Sequence, residues 1–195
     1  MENENPHVMP EIDRSKGMEI GLYSLGEHMP NPHTGELIPA SQRLKEIVEA
    51  AKMAEDAGLD VFQVGESHQE HFVSQAHLVL LSAVAQATSK IKISSGSTII
   101  STSDPVRVFE DASTIDLLSD GRMEVVAGRA SRVGLYELLG YSLNDYEVLF
   151  EEKFQLFLKI NENETVNWNG EFRAPLNDAK VIPRPENKEQ GLPIW

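Results

Sequence analysis

A parallel α/β fold, built as an open sheet or as a (β/α) barrel, is the class this sequence predicts, and three observations predict it. Apolar runs of strand length alternate four times with segments of helical periodicity. The first and third helical segments end on a glycine stop, at Gly58 and at Asp120-Gly121. The clearest unit, DPVRVFEDASTIDLLSDGRMEVVAGRAS from Asp104 to Ser131, carries an arginine just past the end of a buried strand, where α/β proteins meet their ligands.

The elements follow in order. Residues 1–17 form a polar, acidic tail that is expected to be disordered or loosely attached. Ile20 to Leu25 is the first strand, and His28 to Pro39, rich in Pro, Asn and Gly, is a loop. Ser41 is placed to cap a helix whose apolar face is Leu44, Ile47, Val48, Ala51 and Ala54. Val61 to Val64 is the second strand. After a loop from Gly65 to Gln75, an apolar helix runs from about Ala76 to Thr88, and Ile91 to Ile100 carries the third strand. Asp104 caps the next helix with Pro105 at its first position, where the missing N–H is no loss. Val106, Phe109, Ile115 and Leu118 mark its apolar side, and Met123 to Ala127 is the fourth strand. Right-handed crossovers between such units give parallel pairing.

The last quarter departs from this alternation. Asn144 is placed to cap a helix reaching about Ile160, with Tyr146, Leu149, Phe150, Phe154, Phe157 and Leu158 as a core-facing stripe and Asp145, Glu147, Glu151 and Glu152 as its solvated face. Thr165 to Arg173 alternates around Asn169-Gly170, a strong short-hairpin signal, so a small β-hairpin insertion is expected. Leu192-Pro-Ile-Trp195 reads as the opening of a fifth buried strand. The expectation is therefore a truncated polypeptide whose parallel sheet keeps a free edge, which favours a homo-oligomer.

Composition narrows the function classes. With 195 residues the chain suffices for one core. A net charge of -14 argues against nucleic acid or an anionic membrane as partner and leaves a small-molecule substrate. Without cysteine there is no disulfide, thiolate zinc site or cysteine nucleophile. No apolar run spans a membrane and the N-terminus is not signal-like, which makes the cytoplasm the expected compartment. Walker, GxGxxG and GxSxG patterns are missing. His68-Gln69-Glu70 has the H-x-E of zinc deaminases but no cysteine pair to go with it, and His68 with His71 has no third ligand, so no metal is expected.

Arg129 admits two readings from the residues alone: an anion ligand at the mouth of the sheet, or the partner of a surface carboxylate. Gly96-Ser97 on the third strand reads from the residues alone as a bulge or as simple close packing. His68, a lone loop histidine, reads from the residues alone as a plain hydrogen-bonding residue.

The ordered set EIGLYSLGEH, GLDVFQVGESHQEHF, IKISSGSTIISTSDPVRVFEDASTIDLLSDGRMEVVAGRAS and GLPIW resembles the N-terminal half of the bacterial luciferase-like flavin monooxygenases, over about Glu19 to Trp195. The resemblance implies a (β/α)₈ barrel that binds FMN at the C-terminal ends of its strands, with this chain truncated to about the first half of it. It implies reduced FMN supplied by a separate NAD(P)H-dependent flavin reductase and used with oxygen on an organic substrate. Arg129 would hold the FMN phosphate with Gly128 and Ser131 beside it, and Gly96-Ser97 would form a cis peptide beneath the flavin ring. Glu66-Ser67-His68 matches the family's Glu-His-His run, which makes Glu66 and His68 the catalytic candidates. Ser67 stands where the family's proposed base would be, and a hydroxyl is no base near neutral pH. Two other readings stand beside the enzyme: a flavin-binding or interaction protein without turnover, similar to the non-fluorescent flavoproteins, and an inert fragment completed by another chain.

Overall fold

The alternation becomes a four-stranded parallel sheet in the computed structural model, which describes residues 15, 17–130 and 134–195. Strands β1 (Gly21–Ser24), β2 (Val61–Val64), β3 (Lys92–Ile99) and β4 (Met123–Gly128) lie side by side in chain order. Helices α1 (Ala40–Asp56), α2 (His77–Ala87) and α3 (Pro105–Leu118) make the crossovers. Beyond β4, Ile194 pairs in parallel with Val125, so the last residues take the place expected of a fifth strand. Apart from Ser15 and Gly17, the expected tail lies outside the described residues. Among the described residues, no helix is long and apolar enough to cross a membrane.

Side-chain alternation gives the sheet two unlike faces. Phe62, Val64, Ile93, Met123 and Val125 are buried in one core with Ile47 and Ala51 of α1, Leu81 and Val84 of α2, and Phe109 and Ala112 of α3. Gln63, Lys92, Ser94 and Glu124 alternate with these residues; Gln63 donates to Ser94 and Lys92 pairs with Glu124. One helix start and one helix stop match their sequence signals. Asp104 Oδ1 accepts the N–H groups of Val106 and Arg107, with Pro105 at the first helical position. Gly58, at φ +77°, follows α1 in the left-handed conformation that glycine tolerates.

Three local expectations are corrected. Ser41 lies inside α1, whose cap position is Pro39 with no side-chain bond, because the helix begins one residue earlier than its polar signal. Asn144 caps nothing: Ser142 accepts its N–H and starts a 3₁₀ turn, Leu143–Asp145, that runs into helix α5 (Tyr146–Glu162). Leu118, assigned to the apolar side of α3, is 47% exposed.

The hairpin exists, but in a different register. β5 (Thr165–Trp168) pairs antiparallel with β6 (Leu176–Lys180), so Asn169-Gly170 opens a loop over residues 169–175 and is not a two-residue turn. The cause is Glu152 of α5, expected on the solvated face. Its carboxylate accepts the N–H groups of Glu171, Phe172 and Arg173, which holds the loop against the helix and away from the ladder. A short helix, α4 (Leu135–Leu138), was not expected. Its Leu135 and Tyr136 join Ile99 and Leu149 in a second small core beside the end of β4.

Candidate functional site

The strands end in an open cleft of about 670 Å³. Glu66, Ser67, His68, Gly96, Ser97 and Arg129, drawn from three separate stretches of sequence, line it together. Parallel strands in chain order make this happen, since each strand's C-terminal loop opens at the same end of the sheet. Tyr23, Leu25, Ile99, Leu135, Leu138 and Tyr146 supply a largely apolar wall.

Arg129 stands at the cleft and is also the partner of a surface carboxylate. It lines the cleft, and its Nη1 donates to Glu147 Oε2 at 2.7 Å while the guanidinium lies over the rings of Tyr146 and Phe150 at 5.7 and 5.2 Å. Its main chain is fixed as well, for Tyr136 Oη donates to the carbonyl of Arg129 and Tyr146 Oη to that of Ala130. Tyr146, read as part of a core stripe, thus also shapes the cleft.

The Gly96–Ser97 peptide is cis, and the register of β3 against β4 slips between Gly96 and Thr98. Gly128 is not in the cleft lining; it lies against the bulge, where a Cβ would collide with Ser97 Oγ. A Cβ on Gly65 would come within 2.7 Å of the Gly96 carbonyl oxygen. These two glycines therefore let three strand ends approach closely. Ser131 lies outside the described residues.

Glu66 is the knot of the site. Its side chain is only 6% exposed; Oε2 accepts the Ile99 N–H at 2.6 Å and Oε1 lies 2.7 Å from His68 Nε2. Its own N–H donates to the Ser97 carbonyl, which ties the β2 loop to the cis peptide. His77, passed over in the sequence as part of an apolar helix, stands behind Glu66, with Nδ1 3.8 Å from Oε2 and Nε2 2.7 Å from Thr98 Oγ1. Burial pushes its pKa down to about 4, opposed by Glu66 and reinforced by His68, so the ring is neutral near pH 7. The available signal was position: a histidine opening an otherwise apolar helix that packs on the sheet. Burial, with the Glu27 carboxylate nearby, holds the Tyr23 phenol above its ordinary pKa and therefore protonated.

Comparison with known proteins gives the family to which this arrangement corresponds. A family profile described as luciferase-like monooxygenase matches residues 18–195. N-acetyl-S-alkylcysteine monooxygenase of Bacillus subtilis is 32% identical over 160 residues, covering 81% of this chain and 46% of that protein. The monooxygenase RslO1 of Streptomyces bottropensis superposes with a TM-score of 0.78 at 20% identity, over 88% of this chain and 51% of the other. The oxygenating constituent of 3,6-diketocamphane monooxygenase from Pseudomonas putida, solved in complex with FMN, gives 0.70 at 18% identity, over 90% of this chain and 46% of the other. The chain thus spans about half the length of these relatives, and the structural matches establish a shared α/β fold with a parallel sheet.

Proposed function

The chain belongs to the luciferase-like monooxygenase family, and from that premise we propose that its cleft holds the flavin of an FMN-dependent oxidoreductase that uses oxygen on a small organic substrate. The observation that carries this is the meeting of Arg129, the Gly96–Ser97 peptide and the Glu66–His68 pair in one cleft at the strand ends. The cleft suits the group in size, since small-molecule and cofactor sites run to roughly 300–1,000 Å³. It also suits it in chemistry. The apolar wall and the small residues at 96 and 97 accept a flat ring system, and Arg129 is the single cation among the described lining residues. A planar guanidinium matches a phosphate.

Reduced FMN, supplied by a separate NAD(P)H-dependent flavin reductase, would bring two electrons to oxygen, so that one oxygen atom enters the substrate and the other leaves as water. The chain's own residues bind, orient and move protons. Arg129 fixes the phosphate end. Glu66 fixes His68, and His68 takes over proton handling at a site where Ser67 has no imidazole to offer. Two further parts belong to this proposal. The four strands correspond to the first half of a (β/α)₈ barrel, supported by the chain's span of about half its relatives. The protein forms a homo-oligomer, supported by the exposure of Met18, Ile20, Leu22 and Tyr23 on and beside edge strand β1.

Flavin fluorescence titration tests the reading. FMN is expected to bind weakly, and Arg129→Ala is expected to reduce affinity by about 10- to 100-fold, as suits the loss of a charge-assisted contact of roughly 1.5–3 kcal/mol. Unchanged affinity would remove Arg129 as the phosphate ligand. Because Ser67 replaces an imidazole, a second reading, flavin binding without turnover, also has support; product above the free-flavin background with a flavin reductase, NADH and an aldehyde panel would exclude it.

A further inference from the structure

We propose that Tyr23 is a ligand-binding residue for the flavin ring, its hydroxyl donating a hydrogen bond to a carbonyl oxygen of the ring's dione edge on the side of the cleft opposite Arg129. The inference rests on the reading of the cleft as a flavin site and deepens it by assigning the second of its two ends. In the sheet, Tyr23 of β1 stands in register with Gln63 of β2, Ser94 of β3 and Glu124 of β4, so it belongs to the polar face. From that row its ring leans toward the strand ends and crosses β2 to reach β3. Two glycines make the room. A Cβ on Gly65 would stand 2.5 Å from Tyr23 Oη, and one on Gly96 would stand 3.1 and 3.2 Å from Tyr23 Cε2 and Cδ2. The ring therefore lies beside the Gly96–Ser97 peptide as part of the cleft lining, and it remains 49% exposed.

The hydroxyl is a donor without an acceptor. Among the described residues no hydrogen bond uses it, and burial together with the nearby Glu27 carboxylate keeps it protonated. Glu66, the carboxylate that borders the cleft, is already engaged by the Ile99 N–H and by His68. A ligand that meets Tyr23 must therefore bring its own acceptor, and the dione edge of a flavin carries two carbonyl oxygens. Position selects the ring over the phosphate. Tyr23 is on β1 and Arg129 stands just past β4, three strand spacings or about 14 Å away across the sheet. FMN carries its phosphate and its ring at opposite ends of a ribityl chain, so a phosphate at Arg129 sends the ring across β3 and β2 toward Tyr23.

Tyr23→Phe keeps the ring on its glycines and removes only the hydroxyl. Fluorescence titration with FMN and with riboflavin, which lacks the phosphate, is expected to show the same loss of about 5-fold for both, as suits one neutral hydrogen bond. Arg129→Ala, by contrast, is expected to weaken FMN and leave riboflavin where it was. Infrared difference spectra at saturating FMN read the contact itself: a donor on a carbonyl lowers its stretch, so one ring carbonyl band is expected at higher frequency in Tyr23→Phe than in wild type. A residue that only shapes the floor of the cleft would not move that band. An unmoved carbonyl band would overturn the proposal whatever the affinities, and so would an affinity loss confined to FMN, which would put the hydroxyl at the phosphate end. Either result leaves the flavin reading standing, because FMN is bound in both. A wild-type chain that binds neither flavin would overturn the flavin reading, and this proposal with it.

Discussion

At the end of the sheet where the strands begin, Arg122 spends its guanidinium on the protein itself. Nε donates to the Ser119 carbonyl, Nη1 to Thr88 Oγ1 and the Ile91 carbonyl, and Nη2 to the carbonyls of Ala85 and Thr88. Glu55 accepts the N–H groups of Ser89, Lys90 and Ile91, Asp116 accepts those of Met123 and Glu186, and Arg184 holds the carbonyls of Ile160 and Asn161. At the other end, Arg129 binds one exposed carboxylate and faces a cleft. The difference separates charge used to close backbone from charge left at the mouth of an open cleft. Arg122, just before the strand that begins at Met123, and Arg129, just past its end, fall on opposite sides of it.

The largest effect that sharpens this contrast is expected from Arg122→Met. It strands the carbonyls of Ala85, Thr88 and Ile91, and each buried group left without a partner costs about 1–3 kcal/mol, so a loss of at least ~3 kcal/mol is expected in urea denaturation. A loss below ~1 kcal/mol would mean that water replaces the arginine and that this end is not the stabilising one.

The cleft end is expected to show its own signature in acid. His77 titrates at about 4 in the folded chain against an ordinary 6.5. A folded-state pKa below the unfolded one contributes stability that is complete above pH 6.5 and is lost as pH falls through 4. The amount is roughly 3 kcal/mol, mainly from burying a ring that must stay neutral. Thermal melts from pH 7 to 4 should therefore show a shallower loss in His77→Gln than in wild type. Parallel curves would place the acid sensitivity elsewhere.

The parts of the fold that depend on periodicity were legible in the sequence. Val61 to Val64 was read to the residue, and the Asp104 cap and the glycine stop at Gly58 follow from local chemistry alone. What was not legible depends on groups distant in sequence. Asn169-Gly170 is a hairpin signal only if its neighbours are free to pair, and Glu152, 19 residues before Glu171, takes their N–H groups first. The site divides in the same way. Arg129 follows from its place just past the fourth strand, Glu66, His68, Gly96 and Ser97 follow from the motif resemblance, and the five converge on one cleft. His77 was missed because its significance lies in Glu66 and Thr98, which reach it from other elements.

Glu152→Ala tests that long-range control at a smaller scale. Removing the acceptor frees three exposed or half-buried N–H groups that water can satisfy, so the expected loss is about 1 kcal/mol, with hydrogen-exchange protection lost at Glu171, Phe172 and Arg173. Retained protection there would show that the loop is set by its own sequence.

The smallest effect on stability is expected from Glu147→Gln, and it bears most directly on the two readings of Arg129. The ion pair is exposed on both sides, 45% for Arg129 and 74% for Glu147, and pairs of that kind contribute about 0–1 kcal/mol. A denaturation midpoint close to wild type is therefore expected. The flavin titration carries the discrimination. If Arg129 is a surface partner of Glu147 and nothing more, removing the carboxylate leaves FMN affinity where it was. If Arg129 is the phosphate ligand, Glu147 holds the same guanidinium that the phosphate must reach, and its neutralisation is expected to tighten FMN binding, more at low ionic strength than at high. The rings of Tyr146 and Phe150 keep the guanidinium in the cleft after its carboxylate partner is gone. Weaker FMN binding in Glu147→Gln would instead show that the ion pair orients Arg129 for the ligand, and would move Glu147 from competitor to part of the site.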